Sequence, residues 1–429
     1  MKVVNVALLG IGNVGTGVYR ILTENAADIK HREGLDIRIK KILVRNMNKK
    51  RDLEIDKNLY TEDFEDIIND DEIDIVAEFM GGVDPARDYI VKSLQKGKTV
   101  VTANKEVLAK HWPDFEQAAK GTGAGLYFEA SVAGGIPIIR ALTESLQANN
   151  IDSIMGIING TTNYILTEMS EKDASYDDVL KEAQRQGLAE PDPANDVEGY
   201  DAAYKLSILA SLAFHSRVHV ENIFVEGITK INAQDITWAK ELGYTIKLLA
   251  IGKKNGTVIE ARVHPALIKQ THPLASVRGA YNAIFLHGHA LGNFMLYGKG
   301  AGEMPTASAI VSDIIYASHI TEHKFSTFEN TYKKPSAITF NTDWASEYFI
   351  HLKVKDKPGV LSKISGLFGN NGVSIASMMQ KQTEDDVTGI VPLVFITHET
   401  SELSMKKAIE QIKEIGDVVE VASLLRVID

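Results

Sequence analysis

Cysteine is absent from the 429-residue sequence. This absence excludes disulfides, thiolate metal sites and a cysteine nucleophile, and nothing in the composition suggests secretion. A basic run is also missing, since 46 lysines and arginines stand against 57 aspartates and glutamates, with a net charge of -11 and a pI near 5.6. Such a chain has little with which to neutralise phosphates. Nucleic acid and an anionic membrane are therefore disfavoured as main partners, and a small molecule is favoured.

Long apolar runs are the third absence. No stretch has the continuous apolar length that a membrane span needs. The first residues, MKVVNVALLG, read as a buried strand that enters a glycine turn, and not as a signal peptide. We therefore expect a cytoplasmic protein of about two or three globular domains.

The N-terminal sequence places a glycine motif between a strand and a helix. After the run VVNVALLG come Gly10, Gly12 and Gly15 in the spacing G-x-G-x-x-G, followed by the helix-like TGVYRILTENAADI. Gly10 would allow the tight turn, Gly12 would let the backbone approach a pyrophosphate, and Gly15 would let helix and strand pack closely. We expect the cofactor phosphates on the loop of Gly10, Ile11, Gly12, Asn13, Val14 and Gly15. The alternative is a glycine turn in another α/β fold.

Further strand-like runs predict the rest of the sheet and the coenzyme. IRIKKILV, IDIVAEFM, KTVVTA and GLYFEAS alternate with helical or polar segments, which predicts an α/β fold with a Rossmann-type, doubly wound parallel sheet. After the strand ending at Val44, a domain that binds NAD usually offers an acidic residue. This chain offers Arg45, which suits the 2′-phosphate of NADP. Because Asp52 and Glu54 follow closely, NAD use stays open.

Two lysines stand where a reacting carbonyl could lie. Lys105 follows KTVVTA, at the sheet edge where ligands bind in such folds. The stretch GLAEPDPANDVEGYDAAYK concentrates acidic residues in an extended loop and then leads into the apolar, helix-like KLSILASLAF. Asp201 and Lys205 are four residues apart and share a face of that helix. One interpretation is a surface salt bridge; the other is a partly buried ammonium that protonates a carbonyl while hydride arrives.

If the chain reduces a carbonyl group, two classes of reductase are disfavoured. A reductase that acts on an acyl phosphate or thioester normally needs a thiolate, which this chain lacks. A zinc alcohol dehydrogenase is disfavoured because the twelve histidines show no HExxH spacing, and His287 and His289 look like a polar turn. Reduction of a free aldehyde needs only hydride, a proton donor and an oriented carbonyl.

The run AQRQGLAEPDPANDVEGYDAAYK, from Ala183, resembles the signature segment of the homoserine dehydrogenase family. Other stretches are similar to that family's characteristic blocks, in the same order, over most of residues 1 to 320: LLGIGNVGTGV, EFMGGVDPA, TANKEVLA, EASVAGGIPIIR, GIINGTTNYIL, HPLASVRGAYNAI and GKGAGEMPTASAIVSDI. The resemblance implies reduction of L-aspartate 4-semialdehyde to L-homoserine with NADPH or NADH, at the branch leading to threonine, isoleucine and methionine.

The resemblance also implies roles for single residues. Lys205 matches the proton donor, and Lys105 matches a second active-site lysine near the nicotinamide. The substrate would be bound by Glu190, Asp201 and Asp196, and further cofactor contacts are expected at Thr102, Lys105, Gly187 and Gly302. A monovalent cation, usually sodium, would be held by the backbone carbonyls of Glu129, Val132, Gly134 and Ile136. A purely structural turn is the alternative there.

The C-terminal part predicts a separate module. Residues 323–346 are polar and irregular and contain Pro335, as a linker would. The segments EYFIHLKVK, VLSKISGLFGNNG, VSIASMMQKQ, GIVPLVFITHE, SELSMKKAIEQIKEI and VVEVASLLRVI then read as the β-α-β-β-α-β order of a ferredoxin-like fold. DKPGVLSKISGLFGNNGVSI resembles the opening of ACT domains, which implies that the module binds an amino-acid effector. We expect this effector to be threonine. A dimerisation module without a ligand is the alternative.

These observations predict a domain plan and two possible functions. We expect an NAD(P)-binding Rossmann domain at residues 1–130 and a central α+β substrate-binding, catalytic and dimerisation domain at 131–322, whose last helix returns to the Rossmann domain. The linker and an ACT domain at 347–429 follow. The resemblance implies a threonine-regulated homoserine dehydrogenase that forms a homodimer or homotetramer. The alternative is a non-catalytic amino-acid or nucleotide sensor on a dehydrogenase scaffold.

Overall fold

A computed structural model describes residues 1–51, 53–326, 328, 338–380 and 389–428. The helices are α1 (Asn13–Glu24), α2 (Ala26–Glu33), α3 (Glu65–Ile68), α4 (Ala86–Gln95), α5 (Lys105–Thr122), α6 (Ile138–Arg140), α7 (Gly160–Lys172), α8 (Tyr176–Arg185), α9 (Ala194–Val197), α10 (Tyr200–Phe214), α11 (Ala233–Glu241), α12 (Glu303–His319), α13 (Val360–Asn370) and α14 (Glu402–Lys413). The strands are β1 (Lys2–Leu9), β2 (Leu35–Leu43), β3 (Tyr60–Thr61), β4 (Ile75–Glu78), β5 (Thr99–Thr102), β6 (Leu126–Tyr127), β7 (Ile151–Ile157), β8 (Phe224–Val225), β9 (Tyr244–Asn255), β10 (Val258–Lys269), β11 (Tyr281–Gly288), β12 (Gly292–Lys299), β13 (Thr339–Phe340), β14 (Ala345–Lys355), β15 (Ile375–Gln380), β16 (Ile390–Thr397), β17 (Thr400–Ser401) and β18 (Val418–Ile428).

The chain divides into two compact units that are discontinuous in sequence. The first consists of Met1–Ile158, Asp201–Ile223 and Tyr281–Ile338, and the second of Asn159–Tyr200, Phe224–Ala280 and Thr339–Asp429. Of the predicted linker, residue 327 and residues 329–337 lie outside the described residues. The domain boundaries expected from the sequence stay predictions.

The first unit contains the predicted parallel sheet. Its strands lie in the order β3–β2–β1–β4–β5–β6, and each neighbouring pair is parallel. Alternate side chains of β1 enter two cores: Val6 and Leu8 pack on the face that α1 and α12 cover, while Ala7 and Leu9 pack on the face of α3. Parallel strands are buried on both faces, which explains their continuous apolar runs. The Rossmann-type fold is confirmed.

Helix α12 returns from far along the chain to pack on α1. A Cβ atom built at Gly17 would lie 2.8 Å from the Cβ of Ala307 and 2.8 Å from the carbonyl oxygen of Glu303. Arg20 and Glu303 form an ion pair at 3.0 Å beside this contact. Glycine at position 17 therefore lets the two helices approach more closely than any side chain would allow.

Antiparallel sheets complete both units. In the first unit β11 pairs with β7 on one side and β12 on the other. In the second unit β9 and β10 form a long hairpin, and the C-terminal strands lie in the order β18–β14–β16–β15. Helices α13 and α14 share one core with these C-terminal strands, so the predicted ferredoxin-like ACT fold is confirmed. Lys381 and Gln382, predicted to end β15, lie outside the described residues.

The contact between α1 and α12 gives a stability prediction. Replacing Gly17 with alanine adds helix propensity but overpacks the interface, for a net destabilisation of about 1 kcal/mol. We expect the thermal midpoint to fall by roughly 2–4 °C. The matched control is Gly121→Ala in α5, where a Cβ meets nothing within 4 Å. That variant should instead raise the midpoint, and equal shifts of both variants in one direction would contradict the packing argument.

Candidate active site

The first turns of α5 and α10 bring three charged side chains together. Oδ2 of Asp201 accepts a hydrogen bond from Lys205 Nζ at 2.5 Å, and Oδ1 lies 3.1 Å from Lys105 Nζ. The side chain of Asp201 is 7% exposed and that of Lys205 is 12% exposed, whereas Lys105 is 41% exposed. We call Lys105, Asp201 and Lys205 the charged trio. One nearly buried carboxylate holds two ammonium groups, so this is not the surface salt bridge that the sequence left open.

Lys205 has a second acceptor in the main chain. Its Nζ donates to the carbonyl oxygen of Ile158 at 2.8 Å, immediately after β7. An ammonium carries three donors. In the part of the chain that the structure describes, Asp201 and Ile158 are its acceptors, so one donor is available to a ligand carbonyl. No sequence signal could have found Ile158, because every residue carries a carbonyl oxygen.

A buried carboxyl group organises the loops that lead to Lys105. Glu78, at the end of β4, accepts from Thr102 Oγ1 at 2.6 Å and from the Met80 N–H at 2.7 Å. Burial raises the pKa of Glu78. Thr102 Oγ1 in turn accepts from the N–H of Asn104, and Asn104 caps α5 by accepting from Val107 N–H at 3.2 Å. Glu78 was not predicted from the sequence. The Thr102 hydroxyl bonds to Glu78 and Asn104, and the cofactor contact expected at Thr102 stays a prediction.

The glycine turn leaves room for phosphate. Gly10 has φ +108°, and a Cβ at Gly15 would lie 2.6 Å from the Gly10 carbonyl oxygen. Gly12 is the N-cap of α1 with no side-chain cap, and a Cβ there meets nothing within 4 Å. Ile11 and Val14 pack onto the core below, while Asn13 is exposed. The uncapped N–H groups of α1 therefore face open space, which suits the pyrophosphate of a dinucleotide.

The loop after β2 lies beside this turn. Gly10 N–H donates to Leu43 O at 3.0 Å, and Arg45 is exposed two residues beyond Leu43. Arg51 has a different role, since its guanidinium donates to the carbonyls of Asn46 and Lys49, both at 2.9 Å. Arg51 thus shapes the loop and Arg45 remains the candidate for a 2′-phosphate. Asp52, one of the two acids that keep NAD open, lies outside the described residues.

Gly187 and Asp196, both in the second unit, have local structural partners. Gly187 has φ +72° directly after α8, where its N–H donates to Gln184 O at 3.0 Å, as a residue that terminates a helix does. Asp196 Oδ1 accepts from Asn159 Nδ2 at 2.7 Å, and Asn159 caps α7. Glu190 is exposed in the same acidic loop. Their expected contacts with cofactor and substrate stay predictions. Asn159 was missed, although an asparagine before GTTNYIL is an N-cap pattern.

The segment expected to hold a cation is a tight turn in the first unit. Ala133 and Gly134 have φ of 56° and 53°, and a Cβ at Gly134 would lie 2.5 Å from Gly300 O. Glu129 O accepts from Val132 N–H at 3.4 Å and Ile136 O accepts from Ile138 N–H at 2.8 Å, which leaves each carbonyl a second lone pair. No cluster of His, Cys, Asp or Glu that could hold a metal occurs among the described residues. A cation site made of backbone carbonyls stays a prediction.

One further glycine, Gly302, belongs to the surroundings of the site. Gly302, with φ +122°, begins α12 beside the Glu303 that packs on Gly17, so it lies near the helix of the glycine turn. Its predicted cofactor contact is untested.

Within the described ranges, no helix is long and apolar enough to cross a membrane.

The fold and the charged trio define a nicotinamide-dependent oxidoreductase, and the comparisons specify which family. Family models match residues 10–129 (homoserine dehydrogenase, NAD binding domain), 137–315 (homoserine dehydrogenase) and 348–417 (ACT domain). A homoserine dehydrogenase of Helicobacter pylori is 43% identical over 99% of both chains. The structure of one from Thiobacillus denitrificans superposes with a TM-score of 0.92 at 40% identity, over 100% of this chain and 99% of that one. A hyperthermophilic archaeal homoserine dehydrogenase in complex with NADPH superposes with a TM-score of 0.63 at 28% identity, over 74% of this chain and 98% of that one.

The chain belongs to the homoserine dehydrogenase family. It is an oxidoreductase with a nicotinamide cofactor, and its ACT domain indicates regulation by an amino acid.

The charged trio predicts a large effect of one carboxylate. We expect Asp201→Asn to lower kcat/KM about a hundredfold, because a misplaced catalytic group can cost that much and an amide cannot hold two ammonium groups. Steady-state kinetics measures this loss. The matched control is Glu106→Gln, since Glu106 pairs with Lys110 at 2.6 Å on the exposed side of α5. Equal rates for wild type and Asp201→Asn would contradict the role of the trio.

Proposed function

We propose that this protein reduces L-aspartate 4-semialdehyde to L-homoserine with NADPH, and that Lys205 is the proton donor. The observation that carries the proposal is the nearly buried ammonium of Lys205, fixed by Asp201 and Ile158 with one donor left for a carbonyl oxygen. The relatives named homoserine dehydrogenase over the whole chain support the choice of substrate.

The chain's own residues would divide the work as follows. A bound reduced nicotinamide would supply hydride to the aldehyde carbon. Lys205 Nζ would give its proton to the carbonyl oxygen as that oxygen gains negative charge, so that the alcohol forms without a free alkoxide. Asp201 would hold the donor in place before the transfer. Lys105, which is more exposed, would hold substrate and cofactor, and Glu190 and Asp196 would bind the substrate's ammonium group.

Arg45 supports NADPH over NADH. Arg45 is exposed two residues beyond Leu43, whose carbonyl oxygen accepts from the Gly10 N–H of the glycine turn, so it could bind a 2′-phosphate there. The archaeal relative solved in complex with NADPH supports the same coenzyme. NADH is the alternative coenzyme in this proposal.

Further parts of the proposal rest on the family resemblance. They are a sodium ion on the carbonyls of Glu129, Val132, Gly134 and Ile136, a homodimer or homotetramer, a cytoplasmic location, and a place at the branch to threonine, methionine and isoleucine. The two lone pairs of each carbonyl in the 129–136 turn are compatible with the ion.

The test of the function is the oxidation of NADPH and NADH with L-aspartate 4-semialdehyde. We expect turnover by wild type and a loss of about 10²–10⁴-fold in Lys205→Ala, the contribution typical of a general acid. The matched control is Lys172→Ala, which removes a lysine that pairs with Glu168 at the same i,i+4 spacing on an exposed surface. No turnover by wild type with either coenzyme, in folded protein that still binds nucleotide, would favour the sensor alternative.

We also propose threonine as the effector of the ACT domain. The opening DKPG loop leads into α13, whose N-cap Gly359 has φ +90° and no side-chain cap. The N–H groups of this helix start could receive an amino-acid carboxylate.

A pair of glycine variants tests this site. Alanine at position 359 is strained by roughly 1–2 kcal/mol, so we expect threonine to inhibit Gly359→Ala about tenfold more weakly, with the rate in its absence unchanged. The control is Gly366→Ala within α13, where a Cβ meets nothing within 4 Å. Inhibition curves that coincide for wild type and Gly359→Ala would place the effector elsewhere, and no response to threonine would reject it as the ligand.

A further inference from the structure

Helix α5, which begins with Lys105, is broken after its first turns. Pro113 lies inside the helix, and His111 has non-helical angles of φ -123° and ψ 22°. Proline has no N–H group, so the carbonyl four residues earlier, that of Ala109, loses its helical partner. The segment from Lys105 to Lys110 is therefore separated by a kink from the rest of α5.

Arg217 supplies the missing donor. Its Nη2 donates to the carbonyl oxygens of Ala109 and, at 3.3 Å, of Leu108. Arg217 is 3% exposed, and its guanidinium carbon lies 5.9 Å from the centroid of the Trp112 ring. Burial lowers the pKa of Arg217 to about 10, so the group stays charged at neutral pH. A charged donor makes stronger hydrogen bonds to a carbonyl than a neutral one does.

The segment that carries Arg217 is itself fixed to α10. Ser207 Oγ donates to Val218 O at 2.6 Å, and Ser211 Oγ accepts from Val218 N–H at 2.9 Å. Ser216 N–H donates to Ser211 O at 3.2 Å. These serines are fully buried. Because the bonds join both sides of Arg217 to α10, the position of its guanidinium follows that helix, which also carries Asp201 and Lys205.

The first turns of α5 thus contact α10, and the Arg217 segment that follows α10, at three positions along α5. Lys105 contacts Asp201 at 3.1 Å, and Lys110 Nζ lies 5.3 Å from the centroid of the Tyr204 ring. The bond from Arg217 to Ala109 lies about 6 Å along α5 from Lys105, at 1.5 Å per residue. A two-turn segment held at both ends in this way has little freedom to tilt.

We propose that Arg217 is a positioning residue, which locks the kinked start of α5 onto α10 and so holds Lys105 against Asp201. The inference rests on the proposed role of the charged trio. Arg217 touches neither substrate nor cofactor in this scheme, and its effect on the reaction passes through the carbonyl of Ala109, which Pro113 leaves without a helical partner, and through that of Leu108.

A double-mutant cycle separates positioning from simple packing. Arg217→Met keeps the apolar stem but removes the donors, and Pro113→Ala restores an N–H that can bond to Ala109 O. We expect Arg217→Met to lower kcat roughly 10- to 100-fold, with a smaller change in KM. In the Pro113→Ala background the same change should lose much less, because the carbonyl has its helical partner again. Arg217→Lys keeps a charged donor and should recover most of the rate.

The outcomes distinguish the inference from the proposed function. Equal losses in both proline backgrounds, or a wild-type kcat for Arg217→Met, would overturn the positioning role while leaving the dehydrogenase intact. If wild type itself does not turn over with L-aspartate 4-semialdehyde, the proposed function fails first. Should Arg217→Met not accumulate as folded protein, Arg217→Gln, whose shorter and uncharged side chain cannot replace the guanidinium, gives the same comparison in the two backgrounds, and equal losses there overturn the inference as well.

Discussion

Two ammonium groups, those of Lys105 and Lys205, lie against opposite oxygens of one carboxylate, that of Asp201. Asp201 and Lys205 are largely withdrawn from water, and like charges that approach each other there repel unless an opposite charge lies between them. The Asp201 carboxylate therefore allows both ammonium groups to lie in one place. In the proposed reaction a displaced lysine could not reach the substrate carbonyl, so that chemistry depends on this single buried group.

The members of the charged trio come from different parts of the chain, and two sets of contacts place them. Lys105 is placed by the end of β5, where Glu78 and Asn104 fix the loop and cap α5. Asp201 and Lys205 are placed by α10, an apolar helix that is buried along nearly its whole length. Neither helix could orient its charges alone, because a side chain is only as well placed as the backbone that carries it. Two unusual features of this region, the kink at Pro113 and the fully buried serines of α10, help to fix the backbone of these helices.

The sequence predicted what repeats or lies close in the chain. The parallel sheet follows from alternating apolar runs, the ACT fold from its order of elements, and the contact of Asp201 with Lys205 from i,i+4 spacing. The contact of Lys105 with Asp201 could be expected only from the family resemblance, since the two residues are far apart in sequence. The acceptor at Ile158 and the link from Arg217 to Ala109 were missed because backbone carbonyls are the same in every residue. Glu78 was missed although it stands in the apolar run IDIVAEFM, where a strand buried on both faces implies a buried carboxyl group.

The second unit sets a limit on how an effector could act. Arg426, on β18, is 2% exposed and pairs with Glu402 of α14 and with Glu226, which follows β8. Separating Arg426 from Glu402, the partner that is also buried, would cost about 3–5 kcal/mol, the usual penalty for breaking a buried pair. Allosteric coupling is typically worth only about 1–3 kcal/mol. β18 also runs parallel to β10 at Ala266 to Ile268. An amino acid bound to the ACT domain is therefore expected to act with the Arg426–Glu402 pair intact, and any movement of β18 would carry the paired segment of β10 with it.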